Sequence, residues 1–331
     1  MNLLISTDLH CSDKARDSYR FGLFPWLKKQ QEKHSVDFTL LLGDLTESKD
    51  RHSSLLVNRL VEGLTSLKPP VFVLRGNHDG IDPNSPYFKF LNCINGLKFV
   101  ISPTFNKTLG AAFIPHCADQ TTFDRACKQT PPKPDYVFLH NTFTGAKVET
   151  GMTVLSGLST SPIEALKPRL GVYSGDIHAP QCVAPVTYVG APYHCRFGDK
   201  FEPRVLLIKD GKETDLHFDC PRKLTLTVRD ADDITRNKEL RRGDQVKLII
   251  EMAREEAVEW QATKQRVLAA CREGGLEVFG AELLVNTTAS RGRIKLSEGP
   301  AIRSPREIMA AFCKNEGVAS NIKAAGEELL K

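Results

Sequence analysis

Three features of the chain point to an α/β fold. Short continuous apolar runs recur through the first two hundred residues, helical spacing fills the intervals, and each run stops at a small polar cluster. Continuous apolar runs of this length suit strands buried on both faces. Strands alternating with helices imply a layered domain.

The elements follow in order. Leu3–Ile5 leads into Ser6-Thr7-Asp8-Leu9-His10, and Phe38–Leu42 ends at Gly43-Asp44. Val71–Leu74 ends at Arg75-Gly76-Asn77-His78-Asp79. Tyr136–Leu139 ends at His140-Asn141, and Gly171–Ser174 at Gly175-Asp176-Ile177-His178. Between them, 17–34 and 51–67 carry apolar residues at spacings of three and four, including Leu56, Leu60 and Leu64, which predicts amphipathic helices. Val186–Gly190 and Arg204–Lys212 read as strands, the second turning at Asp210-Gly211 so that Glu213–Asp219 runs back.

Around Cys220-Pro221-Arg222 the pattern changes. Leu224–Val228, Gln245–Met252 and Leu276–Val285 read as strands, and Glu255 to about Cys271 as a helix closed by Gly274-Gly275. These observations divide the chain into 1–220, a small α/β domain over 221–297, and a C-terminal segment over 298–331. Gly299-Pro300 marks a linker there, and Ser304-Pro305-Arg306-Glu307 starts a helix with an N-cap Ser and Pro at the first position.

At 331 residues, 41% hydrophobic and 26% charged, the composition is that of a globular protein able to bury a large core. No apolar run reaches the roughly 18 residues of a membrane span. The first residues do not read as a signal peptide, so a cytoplasmic location and no membrane partner are expected. The nine cysteines are scattered, with no C-x-x-C pair, and read as reduced thiols. The net charge of +5 is spread along the chain, without the basic stripe of a dedicated nucleic-acid binder.

In open α/β sheets ligands bind beyond the carboxyl ends of the strands, so the five polar clusters can converge. Asp8, His10, Asp44, Asn77, His140, Asp176 and His178 offer carboxylate, imidazole and carboxamide donors suited to Mn²⁺, Mg²⁺, Fe²⁺ or Zn²⁺. Seven donors exceed the needs of one ion. Two ions about 3.5–4 Å apart account for them, and such a pair acidifies a bound water and clamps a phosphoryl centre. Any one cluster can be a turn or helix cap instead; the five in order, each after a strand, argue against coincidence.

The order D-x-H, G-D, G-N-H-D, H, G-[H]-x-H resembles the signature of calcineurin-like metallophosphoesterases over residues 1–215. The branch most similar is the SbcD-type nuclease subunit of SbcC–SbcD complexes. Asp79 closes the third motif where Ser/Thr phosphatases have Glu, and Tyr188–Pro192 with Phe197-Gly198-Asp199 looks like the segment after the last motif. The resemblance implies an αββα sandwich, a small α/β capping domain and C-terminal helices that grip an ATPase partner. It places Asp8, His10 and His178 on a first ion, Asp44 between both ions, and Asn77, His140 and Asp176 on a second. Mn²⁺ is expected, with Mg²⁺ possible. It puts His78 beside the scissile phosphate to protonate the leaving oxygen, with Asp79 orienting His78. It further implies a two-metal-ion DNA phosphodiesterase, exo- or endonuclease, in recombination and repair, as a homodimer with an SbcC-like coiled-coil ATPase. The chain itself has no G-x-x-x-x-G-K-[ST] loop.

Two positions depart from the family pattern. Asp176 stands where His is usual, which favours harder ions. Leu45-Thr46-Glu47 replaces the aromatic and His that often follow G-D. Other residues take plainer readings: His52 as a surface residue, His194-Cys195 as packing, and His116 at another strand end. Arg241-Arg242 and Arg291-Gly292-Arg293 read as solvated faces. Two alternatives stay open: a small-molecule phosphodiesterase or phosphatase of the same superfamily, and a non-enzymatic scaffold with a degenerate site.

Overall fold

The structure, a computed structural model, describes residues 1–286. The expected linker at Gly299-Pro300, the helices from Ser304 and the Arg291–Lys295 cluster lie outside the described residues.

Two six-stranded sheets face each other. In the first, β1 (Leu3–Ser6), β2 (Phe38–Leu41), β3 (Val71–Leu74) and β4 (Leu97–Val100) run parallel, and β11 (Val205–Lys209) and β12 (Lys212–Leu216) extend the β1 edge antiparallel. The second has the order β5 (Thr104–Asn106), β6 (Ala111–Ile114), β7 (Tyr136–His140), β8 (Gly171–Gly175), β10 (Val186–Tyr188), β9 (Gln181–Val183). Its four inner strands are parallel and its two edge strands antiparallel.

Three apolar layers hold the sandwich together. Leu3, Ile5, Leu40, Leu42 and Leu74 from the first sheet meet Phe113, Phe138 and Tyr173 from the second. The alternate residues Leu4, Leu41, Val71 and Val73 point outward against the helices α1 (Leu23–His34) and α2 (Ser54–Ser66). On the other outer face Val137, Leu139 and Val172 pack against α3 (Gln120–Lys128) and α4 (Ser161–Leu166). Strands buried on both faces explain the continuous apolar runs. In α2 the buried stripe is Leu56, Leu60 and Leu64, and the Ser53 hydroxyl caps the start by accepting from the Leu56 N–H at 3.1 Å.

A third sheet, β13 (Lys223–Val228), β14 (Gln245–Ala253) and β15 (Glu277–Asn286), is all parallel. Its crossovers contain α5 (Ala231–Thr235) and α6 (Trp260–Glu273), and it has its own core around Val246, Leu248, Ile250 and Val267. It is joined to the sandwich by buried polar contacts: Lys223 Nζ reaches Asp17 Oδ1 at 2.5 Å, and Gln245 Nε2 donates to the Arg16 carbonyl at 2.7 Å. Residues 1–286 thus form one compact unit. All described cysteines are free. Among the described residues no helix is long and apolar enough to cross a membrane.

Candidate metal centre

The carboxyl ends of β1, β2 and β3 on one sheet and of β7 and β8 on the other converge. The chain turns sharply where each strand stops. Asp8, His10, Asp44 and Asp176 all take positive φ, between 42° and 81°, a region that non-glycine residues rarely occupy and that costs about 1–3 kcal/mol each. Four such residues in one cluster mark a backbone bent to aim its side chains. Two glycines make the approach possible. A Cβ on Gly43, whose φ is +100°, would sit 2.4 Å from His140 Nδ1, and one on Gly76 would sit 2.2 Å from Asp44 Oδ1.

All seven expected ligands come together. His10 Nε2 and His178 Nε2 lie 3.1 Å apart. Asp44 sits between two groups, with Oδ2 3.6 Å from His10 Nε2 and Oδ1 3.3 Å from His140 Nε2. His140 Nε2 also lies 3.4 Å from Asn77 Oδ1 and 3.8 Å from Asp176 Oδ1. Ligand atoms of Asp8, Asp44 and His140 all lie within 4.8 Å of one another, as do those of His10, Asp44 and His78. Asp44 thus belongs to both groups, the position of a bridging carboxylate.

The donors fit metal ions by their orientation and their unmet partners. His140 Nδ1 is tied to the Leu42 carbonyl, which fixes the tautomer and aims Nε2 into the cluster. Asp8 is fully buried, and its Oδ2 has no hydrogen-bond partner, a costly arrangement unless a cation is near. Burial, reinforced by Asp44 and Asp176, pushes the Asp8 carboxyl up to about 6. Burial opposes charge on Asp44 and His140 too, but each stabilises the other's charge: the carboxyl of Asp44 lies below its ordinary range and the imidazole of His140 well above. These residues therefore compete for protons where they would otherwise hold cations.

Asp79, expected to orient His78, has its carboxylate turned to backbone amides. Its buried carboxylate accepts backbone N–H bonds from Gly76 at 2.7 Å and from Asp44 and Leu45 at 2.9 Å each. The turn after β3 folds this carboxylate back onto the amides of its own loop and of the loop after β2, so Asp79 pins the two loops together. The His78 ring is held instead through Nδ1, 2.7 Å from the Glu47 carbonyl, while the His78 N–H donates to Asp44 Oδ1 at 2.9 Å. Asn77 and His78 are half-buried at the opening of the site.

Several neighbours carry no sequence motif that announces them. Glu47 Oε2 lies 3.5 Å from His10 Nδ1, and Glu149 Oε1 lies 3.5 Å from His178 Nδ1 and accepts from the His178 N–H at 3.0 Å. The Thr142 hydroxyl bonds Asp176 Oδ2. A ligand atom of Cys195 lies within 4.8 Å of those of His10 and His178. Glu47 follows closely on Gly43-Asp44, the one signal that points to it. Glu149 lies in a long connection with no motif. His116 reaches the edge of the site, its ring 6.5 Å from that of His140, and burial and His140 push it down to about 4. His194 has the packing role expected of it: Nε2 lies 3.0 Å from the Phe201 carbonyl and Nδ1 accepts from the Lys223 N–H. His52 is not a surface residue but half-buried, its ring 4.3 Å from Tyr87 and 5.2 Å from Phe88.

A two-sheet α/β sandwich whose strand ends gather carboxylates, imidazoles and a carboxamide around a shared aspartate defines a metal-dependent phosphoester hydrolase. The chain belongs to the calcineurin-like phosphoesterase family, whose model matches residues 1–180. No curated protein matches the chain in sequence at a significant level. Among solved structures, the chain is similar to an archaeal phosphodiesterase, at 15% identity and a TM-score of 0.35 over 65% of this chain and 100% of that one. It is also similar to GAP50, the anchor in the inner membrane complex of Plasmodium, at 11% identity and a TM-score of 0.40 over 68% of this chain and 90% of that one.

Proposed function

We propose that the chain is a two-metal-ion DNA phosphodiesterase, the nuclease subunit of an SbcC–SbcD-like complex. The observation that carries the choice of substrate is a basic cavity of about 260 Å³ bordered by Glu47 and Cys195 of the metal centre. Lys14, Arg16, Arg196 and Lys247 line it, all exposed, and none has a carboxylate partner among the described residues. Phe197 lies on the same wall, with Lys247 Nζ 5.3 Å from its ring centre and Phe279 5.8 Å away. A small phosphoester needs counter-charge only at its reacting phosphate. Unpaired cations bordering the site, beside an aromatic face, suit a chain of phosphates and bases.

The side chains divide the work. Asp8, His10, His178 and Asp44 would hold one ion; Asp44, Asn77, His140 and Asp176 the other. When bound, such ions, Mn²⁺ or Mg²⁺, supply Lewis acidity at the phosphoryl oxygens and make water a nucleophile at neutral pH. With Nδ1 held by the Glu47 carbonyl, half-buried His78 stands at the opening, where its imidazolium form would deliver a proton to the leaving oxygen. Asp79 keeps Asp44 and Gly76 in register. The coiled-coil ATPase partner and the homodimer belong to the same proposal and rest on the sequence resemblance.

The test is degradation of end-labelled linear DNA by the purified chain, alone and with the ATPase partner, in Mn²⁺, Mg²⁺ or chelator, beside a small chromogenic diester. Metal-dependent DNA cleavage is expected. Hydrolysis of the small diester with no DNA cleavage under either condition would replace the proposal with a small-molecule enzyme.

A further inference from the structure

We propose that Cys195 supplies a sulfur donor to the ion held by His10 and His178, making one ion site soft and the other hard. The inference rests on the two-ion reading of this centre and goes beyond it by adding a ligand that the family motifs do not contain.

Three observations carry it. First, one ligand atom each from His10, His178 and Cys195 lie within 4.8 Å of one another, and all three residues are buried. The two imidazoles bring their Nε2 atoms to 3.1 Å, a separation at which one ion can take both once the proton between them has left. Second, the backbone carbonyls that Sγ meets, those of Asp8 and Tyr193, lie 3.8 Å away, the polar side chain it bonds is that of the ligand His178, and buried Asp8 Oδ2 has no hydrogen-bond partner. Third, the backbone is built to present the group. Buried Arg20 donates to the His10 carbonyl and, at 3.1 Å, to the Cys195 carbonyl, while Asp199 accepts the Cys195 N–H at 2.9 Å. One guanidinium thus positions both a histidine ligand and the cysteine.

The two ends of the site then differ in chemistry. The end at His140 offers Asn77 and Asp176 oxygens with one imidazole, which suits Mn²⁺ or Mg²⁺. The end at His178 adds a thiol to two imidazoles and the Asp8 and Asp44 carboxylates, a mixed set that is the softer of the two and suits Zn²⁺, Fe²⁺ or Co²⁺. As the metal–sulfur bond forms, the proton held between Cys195 and His178 leaves to solvent; nothing is oxidised or reduced.

Cobalt(II) titration of the metal-free full chain under reducing conditions tests this, read by near-ultraviolet sulfur-to-cobalt absorption and by calorimetry. The absorption is expected to grow with the first equivalent and stop before the second. Cys195→Ser should lose it while still binding cobalt, with the first affinity weakened roughly tenfold or more. Cys127→Ser, which alters a thiol in α3, should keep it. Two bound cobalt ions without that absorption in the wild type would overturn the inference, with no need of any variant, and so would its survival in Cys195→Ser. No cobalt binding by the wild type would overturn the two-ion reading itself, and this inference with it.

Discussion

His10 and His178, 168 residues apart in sequence, meet with their Nε2 atoms 3.1 Å apart at the junction of the two sheets. Burial disfavours charge on either ring. The ring of His10 lies well below its ordinary range, whereas Cys195, Asp8 and Glu149 draw His178 up to about 10. In the metal-free protein His178 therefore carries a proton through the neutral range, and an ion must displace it. Manganese affinity should rise with pH across that range, and binding should release protons, measurable by calorimetry in buffers of different ionisation enthalpy. At a free concentration about a hundred times the dissociation constant, manganese should stabilise the fold by about 2.7 kcal/mol, and His10→Gln should lose most of that gain.

Asp79 holds two loops through three backbone N–H groups, so its replacement reads as a stability change first. Asp79→Asn turns one acceptor oxygen into a donor facing another donor. The expected cost is about 1–3 kcal/mol, measured by denaturant unfolding with chelator present. A second consequence is weaker manganese binding, because Asp44 loses the carboxylate that holds its amide. Unchanged stability would show that water replaces the lost acceptor.

The basic cavity predicts a salt signature. Arg196→Ala with Lys247→Ala should weaken DNA binding and reduce the slope of log affinity against log salt by about two. Hydrolysis of a small diester should be unaffected, since neither side chain belongs to the metal cluster.

The third sheet is attached through a buried charge. Burial would push the Asp17 carboxyl up, but Arg20 and Lys223 more than offset this and hold it below its ordinary value. Burial and Arg20 push Lys223 down in turn, so the favourable direction is that of Asp17, which also accepts from the Ser12 hydroxyl at 2.9 Å. Asp17→Asn should cost about 3 kcal/mol by leaving Lys223 buried and unpaired. A lowered carboxyl pKa stabilises above its unfolded value of about 4 and stops doing so as pH falls through the folded value. The gap between wild type and variant should therefore be constant near neutrality and close under acid. Trp260 fluorescence from α6 follows the third sheet directly.

Much of this is legible in the chain because strands buried on both faces write themselves as unbroken apolar runs, and the site sits where those runs stop. Asp8, Asp44 and Asp176 are readable for that reason. The edge strand at Thr104–Asn106 is only half-buried and α4 has six residues, too little for either period to show. For Asp79, adjacency to His78 suggests a pair, whereas the turn after β3 sends the carboxylate back to the amides. Glu149 belongs to no motif, and only the fold carries it from the connection after β7 to His178.

On the proposed reading, one site built from both sheets hydrolyses phosphodiesters with two ions. The most direct measurement titrates manganese into the metal-free chain while following bound ions and hydrolysis of a chromogenic diester together. Two ions per chain are expected, with activity that tracks the second, and His78→Gln should bind both ions with a rate lower by about 10²–10⁴. Full activity in chelator, or saturation at a single ion with full activity, would contradict that reading.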